Sequence, residues 1–329
     1  MADLDVKDRK ILYQLDLDSR QSFRSIGRKV GLSKDTVAAR VKKLEEAEVI
    51  TGYWTAIDSY KFGYTAYRYY LTLQNATPTL KKEILEYFAG YGNMWVVATA
   101  TGIYDIVLVI WVKSLPKFFH YWDAANEKYG DHFVEKVFSV YLQASALPSS
   151  YLLGTEYIKS DRDTYEEKVG GKTTQIDHED YKLLSEIACD ARLPIVDLAD
   201  RLDCSTQTVT NRLKKLIKTG VIQGFRTGID VYKIGFKHFK VDMWLKEPSK
   251  RKKIWNHLKY NPYVTYLNTS AGYADIEIEL VIETIDALLL IIEDITKKFP
   301  CIIKKYTYFM AQEDIVYRCI PEMSVEDFK

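Results

Sequence analysis

Long apolar runs are missing from this sequence of 329 residues. The longest apolar stretch, around Ala287–Ile292, is far shorter than the roughly 18 to 20 residues that a membrane-spanning helix needs. The first residues are acidic, unlike the basic start of a secretion signal. We therefore expect a cytoplasmic protein without a membrane partner. At about 100 to 200 residues per domain, the length indicates at least two domains.

Cysteine and excess charge are also scarce. The four cysteines form no CxxC pair and have no histidine at metal-ligand spacing, so we expect neither a zinc site nor a disulfide framework. Forty-six basic against 45 acidic side chains leave a net charge of +1, which excludes a polybasic coat and makes any nucleic-acid binding local. The sequence contains no nucleotide-binding or hydrolase signature, and we expect no cofactor and no enzymatic activity.

What the sequence does contain is an internal repeat. A shift of 172 positions aligns Leu4–Gly63 with Ile176–Gly235 without a gap, and roughly a third of the positions are identical. After a loss of two residues, a shift of 170 positions places Gly102 on Gly272 and Asp105 on Asp275. The chain is therefore a tandem duplication, and each half has two parts.

The first part of each half is predicted to be helical. In the first half, apolar spacing behind Asp5 indicates one helix, Ser22–Val30 a second, and Ser33 caps a third. Three short helices with a tight turn before the third are a helix-turn-helix, and the β-rich stretch Val49–Ile57 suits the wing of a winged version. The second part alternates strands and helices in the order β-α-β-β-α-β, which is typical of a ferredoxin-like domain.

These patterns resemble the Lrp/AsnC, or feast/famine, family of transcription regulators. The resemblance rests on the motif from Leu4 to Tyr53 and on the turn Gly102–Asp105 between two strands. It implies an α+β chain with two winged helix-turn-helix domains and two ferredoxin-like βαββαβ domains in tandem. It also implies double-stranded DNA as partner, a small effector such as an amino acid, and paired sensing domains.

The repeat and the resemblance together set the predicted domain boundaries. The stretch before the second repeat is rich in charge, ends in Gly170-Gly171 and has no apolar period, which indicates a linker. The five segments are winged helix-turn-helix 1 (residues 1–63), sensing domain 1 (64–153), linker (154–175), winged helix-turn-helix 2 (176–235) and sensing domain 2 (236–325). We expect the two halves to pair within one chain as a pseudo-dimer, with further self-association left open.

The outward face of each third helix supplies the candidate DNA contacts. A helical wheel with Val37, Val41 and Leu44 inward points the other residues outward or to the flank. The candidates are Lys34, Asp35, Thr36, Ala39, Arg40, Lys42 and Lys43 in the first half, and Thr206, Gln207, Thr208, Asn211, Arg212, Lys214 and Lys215 in the second. The lysine pair is shared, whereas the residues one and two turns earlier differ.

This division predicts that lysines hold phosphates and that the differing residues face bases. Gln207 and Asn211 can each bind adenine, whereas Asp35 can only accept, for example from cytosine N4. We therefore expect two unlike half-sites, because a covalent pseudo-dimer is not bound to a palindrome. For Arg40 and Arg212, an internal ion pair with the nearby shared aspartates is an equal alternative.

The resemblance also places an effector near the strand turns, at Gly102, Tyr104 and Asp105, with Gly272 and Asp275 in the second half. A simpler interpretation is structural, with glycine for a positive-φ turn and aspartate for backbone hydrogen bonds. The aromatic residue of the second turn is shifted by one position. A further departure is Glu48, which stands where the family normally has a helix-ending glycine.

The strand Asp105–Val112 is apolar on both faces, so its second face needs a cover. The matching face of the second half carries Glu277 and Glu279, and a neighbouring strand carries Lys240 and Asp242. We expect the two sheets to stack within the chain, with either cross-paired ions or a hydrated contact.

Two other functions fit the same architecture. Sirohaem decarboxylases resemble this chain in domain plan, but they carry an Arg- and His-rich stretch that Thr55–Phe62 lacks. A sensing or scaffold protein that has lost DNA binding is the second alternative.

Overall fold

The computed structural model describes residues 2–154 and 165–328, so the predicted linker falls partly outside the described residues. Within these ranges the chain forms helices α1 Val6–Leu17, α2 Phe23–Val30, α3 Lys34–Glu46, α4 Pro78–Ala89, α5 Leu115–Tyr129, α6 His178–Ala188, α7 Ile195–Arg201, α8 Thr206–Lys218, α9 Arg251–Leu258 and α10 Ile285–Lys298. The strands are β1 Ile50–Ile57, β2 Thr65–Leu73, β3 Met94–Gly102, β4 Ile106–Val112, β5 Phe133–Ala146, β6 Tyr165–Lys168, β7 Ile222–Ile229, β8 Lys237–Leu245, β9 Val264–Ala271, β10 Ile276–Ile282 and β11 Ile303–Tyr317.

Helices α1–α3 and α6–α8 form the two predicted helix-turn-helix units. Asp5 caps α1 in a reciprocal capping box with Asp8, and Asp177 does the same for α6 with Asp180. Each box satisfies orphan backbone N–H groups at the helix start. The apolar faces of the three helices pack together in each unit. The cluster of the first unit also includes Ile234 and Phe236, and that of the second unit continues to Trp111 of the barrel.

The strand that follows each third helix joins the two units. β1 and β7 pair with each other as an antiparallel two-stranded ribbon, with Trp54 opposite Arg226. Only one strand lies between the third helix and Gly63 or Gly235, so a hairpin within one unit cannot form and the other half supplies the hydrogen-bonding edge. The predicted wing strands therefore connect the two units.

The sensing parts have the predicted βαββαβ order. The strand order is β5-β2-β4-β3 in the first half and β11-β8-β10-β9 in the second. The last strand of each half is long, and its far part pairs with the edge of the other sheet, β5 with β9 and β11 with β3. Eight strands thereby close into a barrel, so the sheets share edges as well as facing each other.

Helices α4 and α5 cover the outer face of the first sheet, and α9 and α10 cover that of the second. The inner faces therefore meet inside the barrel. Val107, Val109 and Trp111 of β4 are buried there, which confirms that the second face of this strand has a cover. No helix of the described residues has the length and apolarity to cross a membrane.

The predicted linker contains one element that the sequence did not indicate. Residues 165–168 form β6, which pairs with the last residues of β5, Lys168 opposite Gln143. Its four residues are polar and too short to show a period, and their pairing depends on the edge that β5 leaves open. Residues 165–168 of the predicted linker therefore extend the sheet at β5.

Candidate nucleic-acid interface

The first candidate surface is the outer face of α3. The hydroxyl of Ser33 accepts the backbone N–H of Thr36 at 3.1 Å and caps the helix. Val37, Val41 and Leu44 are buried in the unit's core. The remaining predicted contacts are exposed, namely Lys34, Asp35, Thr36, Ala39, Lys42 and Lys43.

Helix α8 repeats this arrangement. Ser205 caps it through the backbone N–H of Thr208 at 3.1 Å, and Val209, Leu213 and Leu216 are buried. The exposed residues are Thr206, Gln207, Thr208, Asn211, Lys214 and Lys215. Among the described residues, no sheet or helix covers the outer face of either third helix.

The flank arginines are half-buried and lie in ion pairs within their units. Arg40 contacts Asp5 at 2.7 Å and Asp8 at 2.8 Å. Arg212 makes the same contacts with Asp177 and Asp180 at 2.8 and 2.7 Å. Hydrogen bonds to these carboxylates raise the pKa of Arg40. The alternative interpretation, in which both arginines tie the third helix to the start of the first, is the one that these contacts support.

The two lysines are shared by the halves, but their contacts differ. Lys42 lies 3.7 Å from Glu46 on the surface, an exposed contact of little strength. Lys215 contacts the buried Asp180 at 2.7 Å. In the part of the chain that the structure describes, neither Lys43 nor Lys214 forms an ion pair. Three of the four lysines are therefore available for phosphates, and Lys215 is engaged inside its own unit.

The residues expected to face bases also differ in their contacts. The side-chain amide of Gln207 donates to the side-chain oxygen of Asn211 at 2.9 Å. The corresponding positions in α3 are Asp35 and Ala39, which cannot form such a pair. The second helix therefore presents two joined amides, whereas the first presents a carboxylate and a methyl group.

A buried ion pair holds the two units together. The guanidinium of Arg226 on β7 binds both carboxylate oxygens of Asp16 on α1, at 2.6 and 2.8 Å. Burial lowers the pKa of Arg226, but the adjacent Asp16 outweighs it and the net shift is upward. The repeat places Trp54 at the position of Arg226 and Ala188 at the position of Asp16. The aligned sequences of the two halves therefore do not indicate this ion pair.

The predicted effector turns make internal contacts. Gly102 has φ 132° and Gly272 has φ 90°, backbone conformations that favour glycine. The carboxylate of Asp105 accepts the backbone N–H at the end of β2 at 2.8 Å, and Asp275 accepts the one at the end of β8 at 2.8 Å. These contacts fit the structural interpretation, and effector binding at the turns stays a prediction.

The two turns also meet inside the barrel. The hydroxyls of Tyr104 and Tyr273 lie 2.7 Å apart, although the two tyrosines occupy non-equivalent positions of the repeat. Tyr104 stacks on Tyr70 with ring centroids 4.6 Å apart. The aromatic residue of each turn therefore fills the barrel interior.

Charged side chains also face each other between the two sheets. Arg68 of β2 binds both oxygens of Glu277 on β10, with one contact of 2.8 Å, and both side chains are fully buried. Lys240 lies 3.3 Å from Glu279. Burial raises the pKa of Glu277, but Arg68 outweighs burial and the net shift is downward. The charges are therefore paired, as one of the two sequence alternatives proposed: Arg68–Glu277 crosses between the halves, whereas Lys240–Glu279 lies within the second half.

Two exposed, capped third helices above paired ferredoxin-like sheets define a helix-turn-helix protein of the DNA-binding class. Residues 4–45 match the AsnC-type helix-turn-helix domain, and residues 176–223 match a winged helix-turn-helix DNA-binding domain. The chain belongs to the Lrp/AsnC family of helix-turn-helix transcriptional regulators.

Curated relatives correspond to about one third of this chain. The transcriptional regulator Ptr1 of Methanocaldococcus jannaschii is 34% identical over 120 residues, which cover 34% of this chain and 74% of that protein. The regulator LrpA of Pyrococcus horikoshii is 32% identical over 111 residues, 34% of this chain and 77% of that protein. The duplication thus sets this chain apart from these relatives.

A solved structure shares the full architecture. The siroheme decarboxylase NirDL has a TM-score of 0.63 and covers 98% of this chain and 96% of its own, at 13% sequence identity. At this identity the likeness concerns the fold alone.

Proposed function

We propose that this chain regulates transcription by binding double-stranded DNA through α3 and α8 as two reading heads of one polypeptide. The single observation that carries the proposal is that both third helices are exposed while their apolar faces are buried. In a helix-turn-helix, the recognition helix enters the major groove of the DNA, and the other helix of the motif crosses the DNA backbone.

The lysines and the helix starts would hold phosphates. Lys42, Lys43 and Lys214 are exposed and have no buried ion-pair partner among residues 2–154 and 165–328, so they can reach a duplex without breaking a buried contact. The net charge of +1 makes their local contribution important, because no general positive field adds to it. Binding should therefore weaken steeply with salt.

The base-facing residues would read two unlike half-sites. Gln207 and Asn211 suit adenine, whereas Asp35 suits a cytosine amino group. The buried Asp16–Arg226 pair and the β1–β7 ribbon fix the spacing of the heads, so the two half-sites should lie at one constant separation.

The test is selection of binding sites from a random duplex library with the full chain. We expect a site with two different halves at fixed spacing. The variants Gln207→Ala and Asn211→Ala should relax base preference in one half-site, and Asp35→Ala in the other. As a matched control, Lys82→Ala on the exposed face of α4 should leave the selected site unchanged. A perfect palindrome, read equally by both heads, would contradict the proposal of unlike half-sites.

The scaffold alternative differs in its salt dependence. Replacing the four lysines 42, 43, 214 and 215 by alanine should make the slope of log affinity against log salt less steep. The expected change is about 0.9 for each phosphate contact that is lost. An unchanged slope would favour a protein that does not hold DNA through these helices.

The enzymatic alternative is supported by the fold likeness to a siroheme decarboxylase. Incubation of the full chain with a sirohaem-type tetrapyrrole distinguishes the two functions. A bound and converted pigment, seen as a change of the absorbance spectrum, would support the enzyme. An unchanged spectrum, together with salt-sensitive DNA binding, would support the regulator.

A further inference from the structure

The chain segment after β11 lies between the barrel and the second helix-turn-helix unit. Arg318 donates to the backbone carbonyls of Ala89 and Tyr91, each at 3.1 Å. The ammonium group of Lys113 contacts Asp327 at 2.6 Å. The start and the end of this segment, which we call the C-terminal strap (residues 318–328), are therefore attached to sensing domain 1.

The same strap contacts α6 of the second unit. The hydroxyl of Tyr181 donates to the carbonyl of Pro321 at 3.2 Å, and the backbone N–H of Met323 donates to that hydroxyl at 3.2 Å. The rings of Tyr181 and Phe328 lie 5.4 Å apart. The strap therefore connects the barrel to one reading head through hydrogen bonds and a ring contact.

Two thiols meet at this connection. Cys189 is the residue that ends α6, and Cys319 is the second residue of the strap. Their sulfur atoms lie 3.0 Å apart, although 130 positions separate them in the sequence. A disulfide has a sulfur–sulfur bond of about 2.05 Å, so a movement of roughly 1 Å would allow the bond. We propose that Cys189 and Cys319 form a reversible disulfide that fastens the second reading head to the barrel.

The chemistry suits a reaction with a small disulfide such as oxidised glutathione. Cys189 is exposed, and its hydrogen bond with Cys319 lowers its pKa to about 6, so the thiolate is present at neutral pH. This thiolate attacks one glutathione sulfur, forms a mixed disulfide and releases a glutathione thiolate. Cys319 then loses its proton to water and attacks the sulfur of Cys189. The protein disulfide forms, and the second glutathione leaves as thiolate.

The first half has no equivalent. The repeat places Leu17 and Ser149 at the positions of Cys189 and Cys319. There the connection is a hydrogen bond, from the backbone N–H of Ser149 to the carboxylate of Asp16 at 2.7 Å. Oxidation would therefore restrict only the second head and leave the first unchanged.

The experiment uses the full chain in glutathione buffers of graded oxidised-to-reduced ratio, followed by acid quenching, unfolding and alkylation of free thiols. In reducing buffer all four cysteines should be labelled. In oxidising buffer two labels should be lost, and digestion should yield one cross-linked peptide pair containing Cys189 and Cys319. Hydrogen exchange at Met323 and Ser324 should become several-fold slower in the oxidised protein.

Serine variants provide the controls. Cys189→Ser should keep all three remaining labels in oxidising buffer. Cys319→Ser should lose one label, because the mixed disulfide of Cys189 with glutathione cannot be resolved, and Cys204→Ser should still lose two. Four labels at every ratio, or a cross-link through Cys204 or Cys301, would overturn the proposed pair. Equal exchange rates at Met323 in both states would overturn the fastening of the head. These measurements contain no DNA, so their outcome is separate from that of the DNA-binding proposal.

Discussion

The inner faces of the two sheets have the same geometry but opposite chemistry. Positions that hold Val107 and Val109 in the first half hold Glu277 and Glu279 in the second. In the first half, the buried Arg68 on the neighbouring strand pairs with Glu277. Lys240 of the second half pairs with Glu279, so the sheets are complementary at Glu277, for which the other half supplies the bidentate partner.

The reading heads differ in the same manner. Lys215 is engaged by the buried Asp180, whereas Lys43 forms no ion pair among the described residues. Duplication within one chain removes the requirement that both halves satisfy the same contacts, since each half always meets the other and not its own copy. The halves are therefore not interchangeable, either in the barrel or at the candidate DNA surface.

The largest expected effect comes from removing Arg68, which pairs with Glu277 across the barrel. Arg68→Met leaves Glu277 buried without its bidentate partner, and a buried charge that loses its partner destabilises by about 3–5 kcal/mol. Lys240, 3.7 Å from Glu277, should compensate in part. Urea unfolding, followed by tryptophan fluorescence, measures the loss. The double variant Arg68→Met with Glu277→Leu should recover most of it.

A surface pair provides the control for this prediction. Lys297→Met removes the exposed Lys297–Glu293 contact of α10 and should change the free energy of unfolding little. If Arg68→Met changed the free energy of unfolding as little as Lys297→Met, the buried pair would not stabilise the contact between the sheets.

The pH dependence of stability tests the carboxyl group of Asp242, which the second sheet buries beside Glu277. Burial, followed by repulsion from Glu277, raises the pKa of Asp242 to about 7, above an unfolded value of about 3.9. The stability from its protonated form is complete below about pH 4 and is lost as pH rises towards 7, by up to about 1.4 kcal/mol per pH unit. Asp242→Asn should remove this loss.

The measurement compares the free energy of unfolding of the wild-type chain and Asp242→Asn across this pH range. The difference between them should grow in favour of the variant as pH rises. A difference independent of pH would show that Asp242 is ionised in the folded state throughout.

The salt dependence of DNA binding is expected to differ between the lysines of the two heads. Lys43→Ala should reduce the slope of log affinity against log salt by about 0.9, the value for one lost phosphate contact. Lys215→Ala should change the slope less, because Asp180 already holds this lysine at 2.7 Å. Fluorescence anisotropy with a labelled duplex measures both, and Lys82→Ala is the control. Equal changes for Lys43 and Lys215 would mean that DNA takes Lys215 away from Asp180.

Local patterns in the sequence predicted the elements and the exposed faces. The capped third helices follow from Ser33 and Ser205 and from apolar spacing, which act within a few residues. Strand pairing between halves has no such local signature. The pairings of β1 with β7 and of β5 with β9 depend on edges that exist only once both halves have folded.

The same limit applies to the functional contacts. Arg68 and Glu277 are 209 positions apart, and the repeat places His238 at the position of Arg68, so the duplication concealed the pair instead of revealing it. The candidate lysines were visible as a shared motif, but the engagement of Lys215 requires the position of Asp180. The repeat predicts the elements and motifs that the halves share. The contacts between the halves involve positions at which the two repeats carry different residues.

The smallest predicted effect concerns the ends of the third helices. Glu48 has φ 52° and Gly220 has φ 73° at equivalent positions, a conformation that costs a non-glycine residue about 1 kcal/mol. Gly220→Ala should destabilise by about that amount through its backbone, because the added Cβ would meet only Lys61 at 3.9 Å.

Glu48→Gly should stabilise by less than Gly220→Ala destabilises, since it also removes the surface ion pair with Lys233. Thermal unfolding of the two variants measures the difference, and Glu48→Asn, a residue that tolerates this conformation, should lie between glutamate and glycine. If Glu48→Gly destabilised the chain, the contact with Lys233 would outweigh the backbone strain. The departure from glycine would then be a further contact between the halves, because Lys233 belongs to the second helix-turn-helix unit and Glu48 to the first.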